Sequence, residues 1–207
     1  MKILELFAGS RSIGKIADKM NLFCYSVDWK NYPKMNLVTD INYLKTTDIP
    51  FVPDLIWASP DCRTYSVASL GKHRDGIKPL TGYAEYCDET NNHLIELIDE
   101  WLEINPEMVF FIENPRGMMR KMEFVQKINR KTIWYCQYGD VRAKPTDIFT
   151  NSKKWIPRKE CSNNNLNCHH IKASRGSKQG TQGLKDSYLR SIIPEELVFE
   201  ILIQEIK

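Results

Sequence analysis

Apolar residues fall in short clusters along the first 115 positions, and the clusters alternate between strand-like and helix-like spacing. "KILELF" (2–7), "LFCYSVD" (22–28) and "DLIWAS" (54–59) are compact runs of strand length. Between the first two lies the helical pattern "SIGKIADKM" (12–20). Farther on, Leu94, Leu97, Ile98, Trp101 and Leu102 recur at helical spacing, and the polar "DETNN" (88–92) ahead of them predicts the start of that helix. "MVFFIENP" (108–115) reads as a fully buried strand stopped by proline, and "TIWYCQYG" (132–139) and "DIFTN" (147–151) supply two more strands. Parallel strands cannot be joined by tight turns, so strand runs separated by helices predict an α/β fold with an open, doubly wound, mostly parallel sheet.

From Ser152 to about Ser191 the pattern dissolves into "NNN" and "RGSKQGTQG", which predicts a long loop or small irregular subdomain. Regularity returns in "IIPEELVFEILIQEI" (192–206). Pro194 suits the first helical turn, Glu195 and Glu196 favour its positive end, and Leu197, Ile201 and Leu202 form an apolar stripe. The chain thus divides into a sheet domain (1–151), an irregular segment (152–190) and a C-terminal helix (191–207) expected to pack back on the sheet.

Composition changes this picture in two places. The 207 residues carry a net charge of +3, but residues 152–190 hold nine Lys or Arg against Glu160 and Asp186, a local balance of +7 that leaves about −4 elsewhere. Such asymmetry fits a nucleic-acid contact or a solvated basic face. The six cysteines show no regular framework, and no stretch of about 18 apolar residues occurs. Reduced thiols in the cytoplasm, without export or membrane span, are therefore expected.

Chemistry-bearing residues gather where strands end. "FAGSRSIG" (7–14) joins the first strand to the first helix, where small residues let a ligand approach backbone N–H groups. Asp28 closes the second strand, nineteen residues after Gly9, where a carboxylate can bind ribose hydroxyls; Asp40 in "VTDI" is a third contact. Together they read as a nucleoside-cofactor site. Cys62 sits in "SPDCRTYS" (59–66) just beyond a buried strand, and Glu113 in "ENP" follows another, so both belong to one sheet edge if the strands are parallel.

The order of these signals resembles the cytosine-C5 DNA methyltransferases, particularly the compact phage type. The resemblance rests on "FAGSRSIG", "VDW", "SPDCRTYS", "ENP", "YGDVRAKPTDIFTN" and the terminal "RSIIPEEL", in the family's order. It implies a Rossmann-like sheet of the S-adenosylmethionine-dependent methyltransferase type. The cofactor would be held by Phe7, Ala8, Gly9, Ser10, Arg11, Ser12, Asp28, Trp29, Asp40, Ile41 and Pro60. By the same resemblance Cys62 is the nucleophile that adds to C6 of cytosine, Glu113 partners N3, and Arg142 and Lys144 supply basic contacts to the ring. The base must leave the duplex to be reached. Residues 152–190 become a reduced target-recognition segment on duplex DNA, with Ser66, Lys172, Arg175 and Lys178 as DNA contacts. A bacterial or phage-infected host cell would be the setting.

Two positions depart from the family. Asp61 stands where members commonly carry a second proline, and a carboxylate there opposes thiolate formation while Arg63 favours it. Arg11 replaces a frequent glycine, to crowd the methionine part of the cofactor or to reach its carboxylate. Cys161, Cys168, His169 and His170 have suitable zinc ligands, but C-x6-C-H-H is not an established finger spacing, so local packing or DNA-facing histidines is the favoured reading and no metal is assigned. An RNA (tRNA) cytosine methyltransferase, a catalytically idle nucleic-acid binder, and a cysteine hydrolase pairing Cys62 with His73 stand as rivals.

Overall fold

The computed structural model describes residues 1–172 and 186–206. Seven strands form one sheet: β1 (Lys2–Leu6), β2 (Phe23–Asp28), β3 (Leu37–Val38), β4 (Leu55–Ala58), β7 (Val109–Pro115), β8 (Arg130–Trp134) and β9 (Pro145–Thr150). A hairpin of β5 (Arg74–Asp75) and β6 (Lys78–Pro79) lies apart. The sheet order is β3-β2-β1-β4-β7-β9-β8. The first five strands in that order are parallel, while β9 runs antiparallel to both neighbours. The predicted mostly parallel, doubly wound sheet is therefore present.

Alternation along the strands supplies two apolar faces. Leu4, Leu6, Ile56, Ala58, Phe110 and Ile112 meet helix α2 (Gly82–Ile104) through Leu94, Leu97, Ile98 and Trp101. Ile3, Leu55, Trp57, Phe111 and Ile148 meet α1 (Ser12–Lys19) and α4 (Glu195–Glu205) on the other face. In α4, Leu197, Val198, Ile201 and Leu202 are at most 1% exposed, and each such burial stabilises by about 1.5–3 kcal/mol. A short helix α3 (Ser187–Ser191) precedes it.

Two sequence expectations need correction. Helix α2 does not begin after "DETNN"; it begins at Gly82, because the Thr81 hydroxyl accepts the Ala84 amide and Ala84, Cys87, Thr90 and Asn91 continue the buried face toward the N-terminus. "TIWYCQYG" is not one strand: β8 stops at Trp134, and Tyr135–Tyr138 wind into a 3-10 turn closed by Gly139 at φ 82°, a conformation that favours glycine.

Helix α1 has no side-chain cap of its own. Its cap comes from the sheet. Glu5, buried on β1, accepts the Ile13 and Gly14 amides at 2.9 and 3.2 Å and the Ser26 hydroxyl at 2.8 Å. Burial pushes this carboxyl up, against the pull of those bonds and of Arg11. The loop before α1 is thereby pinned against β1 and β2.

Candidate active site

The first βα turn departs from ordinary backbone at three successive odd positions: Phe7, Gly9 and Arg11 have φ of 55°, 44° and 53°. That path directs the Gly9 amide to the Asp28 carboxylate, 2.9 Å away, and the other Asp28 oxygen accepts the Lys30 amide. A side chain at Gly9 would meet little besides the Phe7 carbonyl at 3.9 Å, so the turn is open on that side. Next to it, just past the end of β2, Trp29 is 63% exposed, with the Lys30 ammonium 4.6 Å from its ring centre. Asp40 caps the 3-10 turn Ile41–Tyr43 through the Asn42 amide, and its other oxygen accepts the Tyr86 hydroxyl at 2.5 Å. Two carboxylates, an exposed indole and an open glycine turn at adjacent strand ends suit a nucleoside. The donor set fits S-adenosylmethionine.

Arg11 resolves differently from either expectation. Its guanidinium turns back over Gly14, where a Cβ would lie only 2.6 Å from Nη2, and bonds to Ser26 and Asp18. Held in that way, it reaches neither into the turn nor toward a carboxylate of the cofactor.

At the same edge, beyond the ends of the neighbouring strands, lies the second group. Strands β4 and β7 pair in parallel, so the Cys62 loop and "ENP" do emerge at one edge. Because β9 is antiparallel, its start brings Lys144 to that edge as well, and β8 ends there just before Tyr135, whose amide bonds to the Lys144 carbonyl. The buried Glu113 accepts the Tyr135 hydroxyl at 2.8 Å and has the Lys144 ammonium 3.8 Å away. That ammonium lies over the Tyr135 ring, 4.4 Å from its centre. Burial, and then the Glu113 charge, hold the Tyr135 phenol far above its ordinary range, so it is a neutral donor. Arg142 is engaged elsewhere. It bonds to Asp140 and to the carbonyls of Leu189, Arg190 and Ile192, clamping the segment before α4.

Burial pushes the half-buried Cys62 thiol up; Lys144 pulls it down, and Glu113 and Asp61 add to the rise. Asp61 is partly neutralised. Burial would raise its carboxyl, but hydrogen bonds from Arg63 and Tyr83 outweigh that and hold it below the usual carboxylate range. The loop itself is braced from three sides. The Asn114 amide bonds to the Pro60 carbonyl at 3.0 Å, and the Met118 amide to the Tyr65 carbonyl at 2.7 Å. Arg74, with no exposed surface, bonds to Thr64 and Asp88, and Asp88 in turn accepts the Tyr65 hydroxyl. Arg74 and Asn91, which also bonds to Tyr65, carried no sequence signal of a role at the site. His73 bonds to the Thr81 hydroxyl, and among the described residues no imidazole bonds to Cys62, so the hydrolase pair is not formed.

Ser66 lies four residues after Cys62, its amide on the Cys62 carbonyl. Lys172 is exposed, whereas Arg175 and Lys178 lie outside the described residues. Of the metal candidates, Cys161, Cys168 and His170 converge, joined by the unexpected Cys136; His169 instead turns to the Asp140 carbonyl.

The fold is similar to that of a solved methyltransferase. In solved structures, the Schizosaccharomyces relative described as "S. pombe Dnmt2 methyltransferase" has a TM-score of 0.52 at 14% identity, over 76% of this chain and 52% of its own. A Spodoptera frugiperda DNMT2 mutant gives 0.45 at 19% identity, over 78% and 53%. The chain thus spans about half the length of these solved proteins. By sequence the chain is similar over nearly its whole length to a viral protein: it is 26% identical over 215 residues to a "Probable DNA (cytosine-5)-methyltransferase" of Frog virus 3, covering 98% of this chain and 99% of the relative. No family model matches. No helix among the described residues is long and apolar enough to cross a membrane.

Proposed function

We propose that the chain methylates C5 of cytosine in duplex DNA through a covalent bond from Cys62 to C6. One observation carries this reading: the thiol, the Glu113 carboxyl and the Lys144 ammonium converge at one sheet edge beside the nucleoside-type turn. C5 of cytosine is too weak a nucleophile to accept a methyl group unaided. Addition of the Cys62 thiolate to C6 makes C5 enamine-like, and loss of the C5 proton later expels the thiol. Lys144 lowers the cost of forming the thiolate. Glu113, steadied by Tyr135, faces N3 of the flipped ring and shares or donates a proton as charge develops there. Arg142 acts by holding the turn that carries Lys144. Bound S-adenosylmethionine supplies the methyl group, with Asp28 on the ribose, Asp40 and Trp29 near the adenine, and the Phe7–Ser12 turn along the remainder. The basic segment, including Lys172, Arg175 and Lys178, holds the phosphate backbone, with Ser66 near the extruded base.

The engagement of Asp61 by Arg63 and Tyr83 supports an active enzyme over an idle homologue. Duplex DNA containing 5-fluorocytosine tests the proposal, because fluorine blocks the final elimination. A trapped adduct is expected with the parent and none with Cys62→Ala. Equal methylation by that variant would overturn the mechanism, and transfer to tRNA but not to duplex DNA would assign the RNA substrate instead.

A further inference from the structure

We infer that Cys136, Cys161, Cys168 and His170 form a structural zinc site that fastens the basic segment to the active-site turn. Their ligand atoms all lie within 4.8 Å of one another. Tetrahedral zinc, with sulfur at about 2.3 Å, sets its sulfurs about 3.8 Å apart, so a contraction of roughly an ångström closes the shell. The Cys161 sulfur is already 3.8 Å from the His170 Nδ1. Three thiolates and one imidazole complete four-coordination, which leaves no open position and marks a structural rather than a catalytic ion.

The groups around the cluster are arranged as supports for metal ligands. His170 Nε2 faces the Asn163 carbonyl at 3.3 Å, an acceptor only, so Nε2 carries the proton and Nδ1 directs its lone pair at the sulfurs. The Gln137 side-chain amide donates toward the Cys136 and Cys168 sulfurs at 3.8 and 3.6 Å, and the Asn165 amide toward Cys161 at 3.5 Å. Such N–H donors favour thiolate over thiol.

Local folding needs the staple. Residues 151–172 contain no helix or strand; Trp155 is anchored in the core, but beyond it Ile156, Leu166 and Ile171 are 75%, 89% and 60% exposed, so apolar burial holds little of residues 156–172. It nevertheless docks on the turn after β8, through the Ile171 amide on Val141 and His169 on Asp140. Zinc binding releases the three thiol protons to solvent and leaves a net charge of −1 at the junction between the turn after β8 and a segment whose balance is +7. Cys136 adjoins Tyr135, the residue that holds Glu113, so the ion would fix the segment's position relative to the site.

Protein purified under reductant with zinc supplied should hold one zinc per chain by elemental analysis. Cobalt exchange should give the intense visible bands of a tetrahedral thiolate site. In the parent, metal should protect three of the six cysteines from alkylation and a chelator should expose them, a readout independent of whether any variant folds. His170→Ala should lose the metal, His170→Cys should restore it, and His169→Ala should keep it. The inference is overturned by zinc below a tenth per chain together with no tetrahedral cobalt spectrum. Equal metal loss in the His169 and His170 variants, or a disulfide among the three cysteines in protein kept under reductant, would also refute it.

Discussion

Replacing Gly117 with alanine measures how tightly the loop after β7 is keyed to the loop that carries Cys62. A Cβ at Gly117 would stand 2.3 Å from the Tyr65 carbonyl oxygen, where real contacts do not fall below 3.0 Å. The obstacle is backbone. The two loops must therefore separate by about 0.7 Å, which strains the Met118 amide to Tyr65 carbonyl bond, 2.7 Å long in the parent. Losing that bond costs about 0.5–1.5 kcal/mol and the forced repacking about 1–3 kcal/mol, so a loss of roughly 1.5–4.5 kcal/mol in unfolding free energy is expected. Tyr65 lies three residues from Cys62, and a misplacement near 1 Å can slow chemistry by about a hundredfold. Urea unfolding reads the first effect, and single-turnover methyl transfer to DNA at saturating cofactor reads the second. An alanine variant with parental stability and parental single-turnover rate would show that this approach does not position the thiol.

Three other outcomes follow from the same geometry. Because burial raises the Cys62 thiol, its alkylation in the free protein should accelerate with pH beyond the range of an ordinary cysteine; the folded state then binds the extra proton, so this group's contribution to stability is present at neutral pH and fades as pH rises through the folded value. A rate profile matching that of a free thiol would refute the sign. Asp28→Ala should weaken S-adenosylmethionine binding by about 1.5–3 kcal/mol per charge-assisted ribose bond lost, read by calorimetry, and unchanged affinity would remove Asp28 from the cofactor site. Replacing Lys172, Arg175 and Lys178 with glutamine should lower affinity for every duplex and flatten the salt dependence by up to about three units of slope, whereas identical slopes would mean that these residues only face solvent.

Much of the sheet was legible because strands buried on both faces must be continuously apolar, as "DLIWAS" and "MVFFIENP" are. The placement of Asp28, Cys62 and Glu113 followed from strand ends alone. Less visible were contacts made by residues without local signature. The start of α2 lay in polar positions, since Asn91 is buried by bonding to Tyr65 rather than by apolar character. The end of β8 was hidden because Tyr135 and Cys136 look like strand residues, although one turns to Glu113 and the other toward Cys161 and Cys168. Arg74 resembles any surface arginine in a polar stretch. Only the fold encloses it.

The antiparallel insertion of β9 between β7 and β8 bears on when the site comes into being. During synthesis Glu113 is made long before Lys144, and the carbonyls at 189–192 that clamp Arg142 come later still. Until β9 slots in, one edge of β7 stays unpaired and its carboxylate lacks its cationic neighbour. The pairing of β9 with β7 waits for residues 145–150 to be made, so the central insertion comes late in synthesis. The thiol and its cofactor turn can be in place on a partly finished molecule, but the cation beside them arrives only with the last third of the chain, so nascent or truncated chains would remain chemically silent.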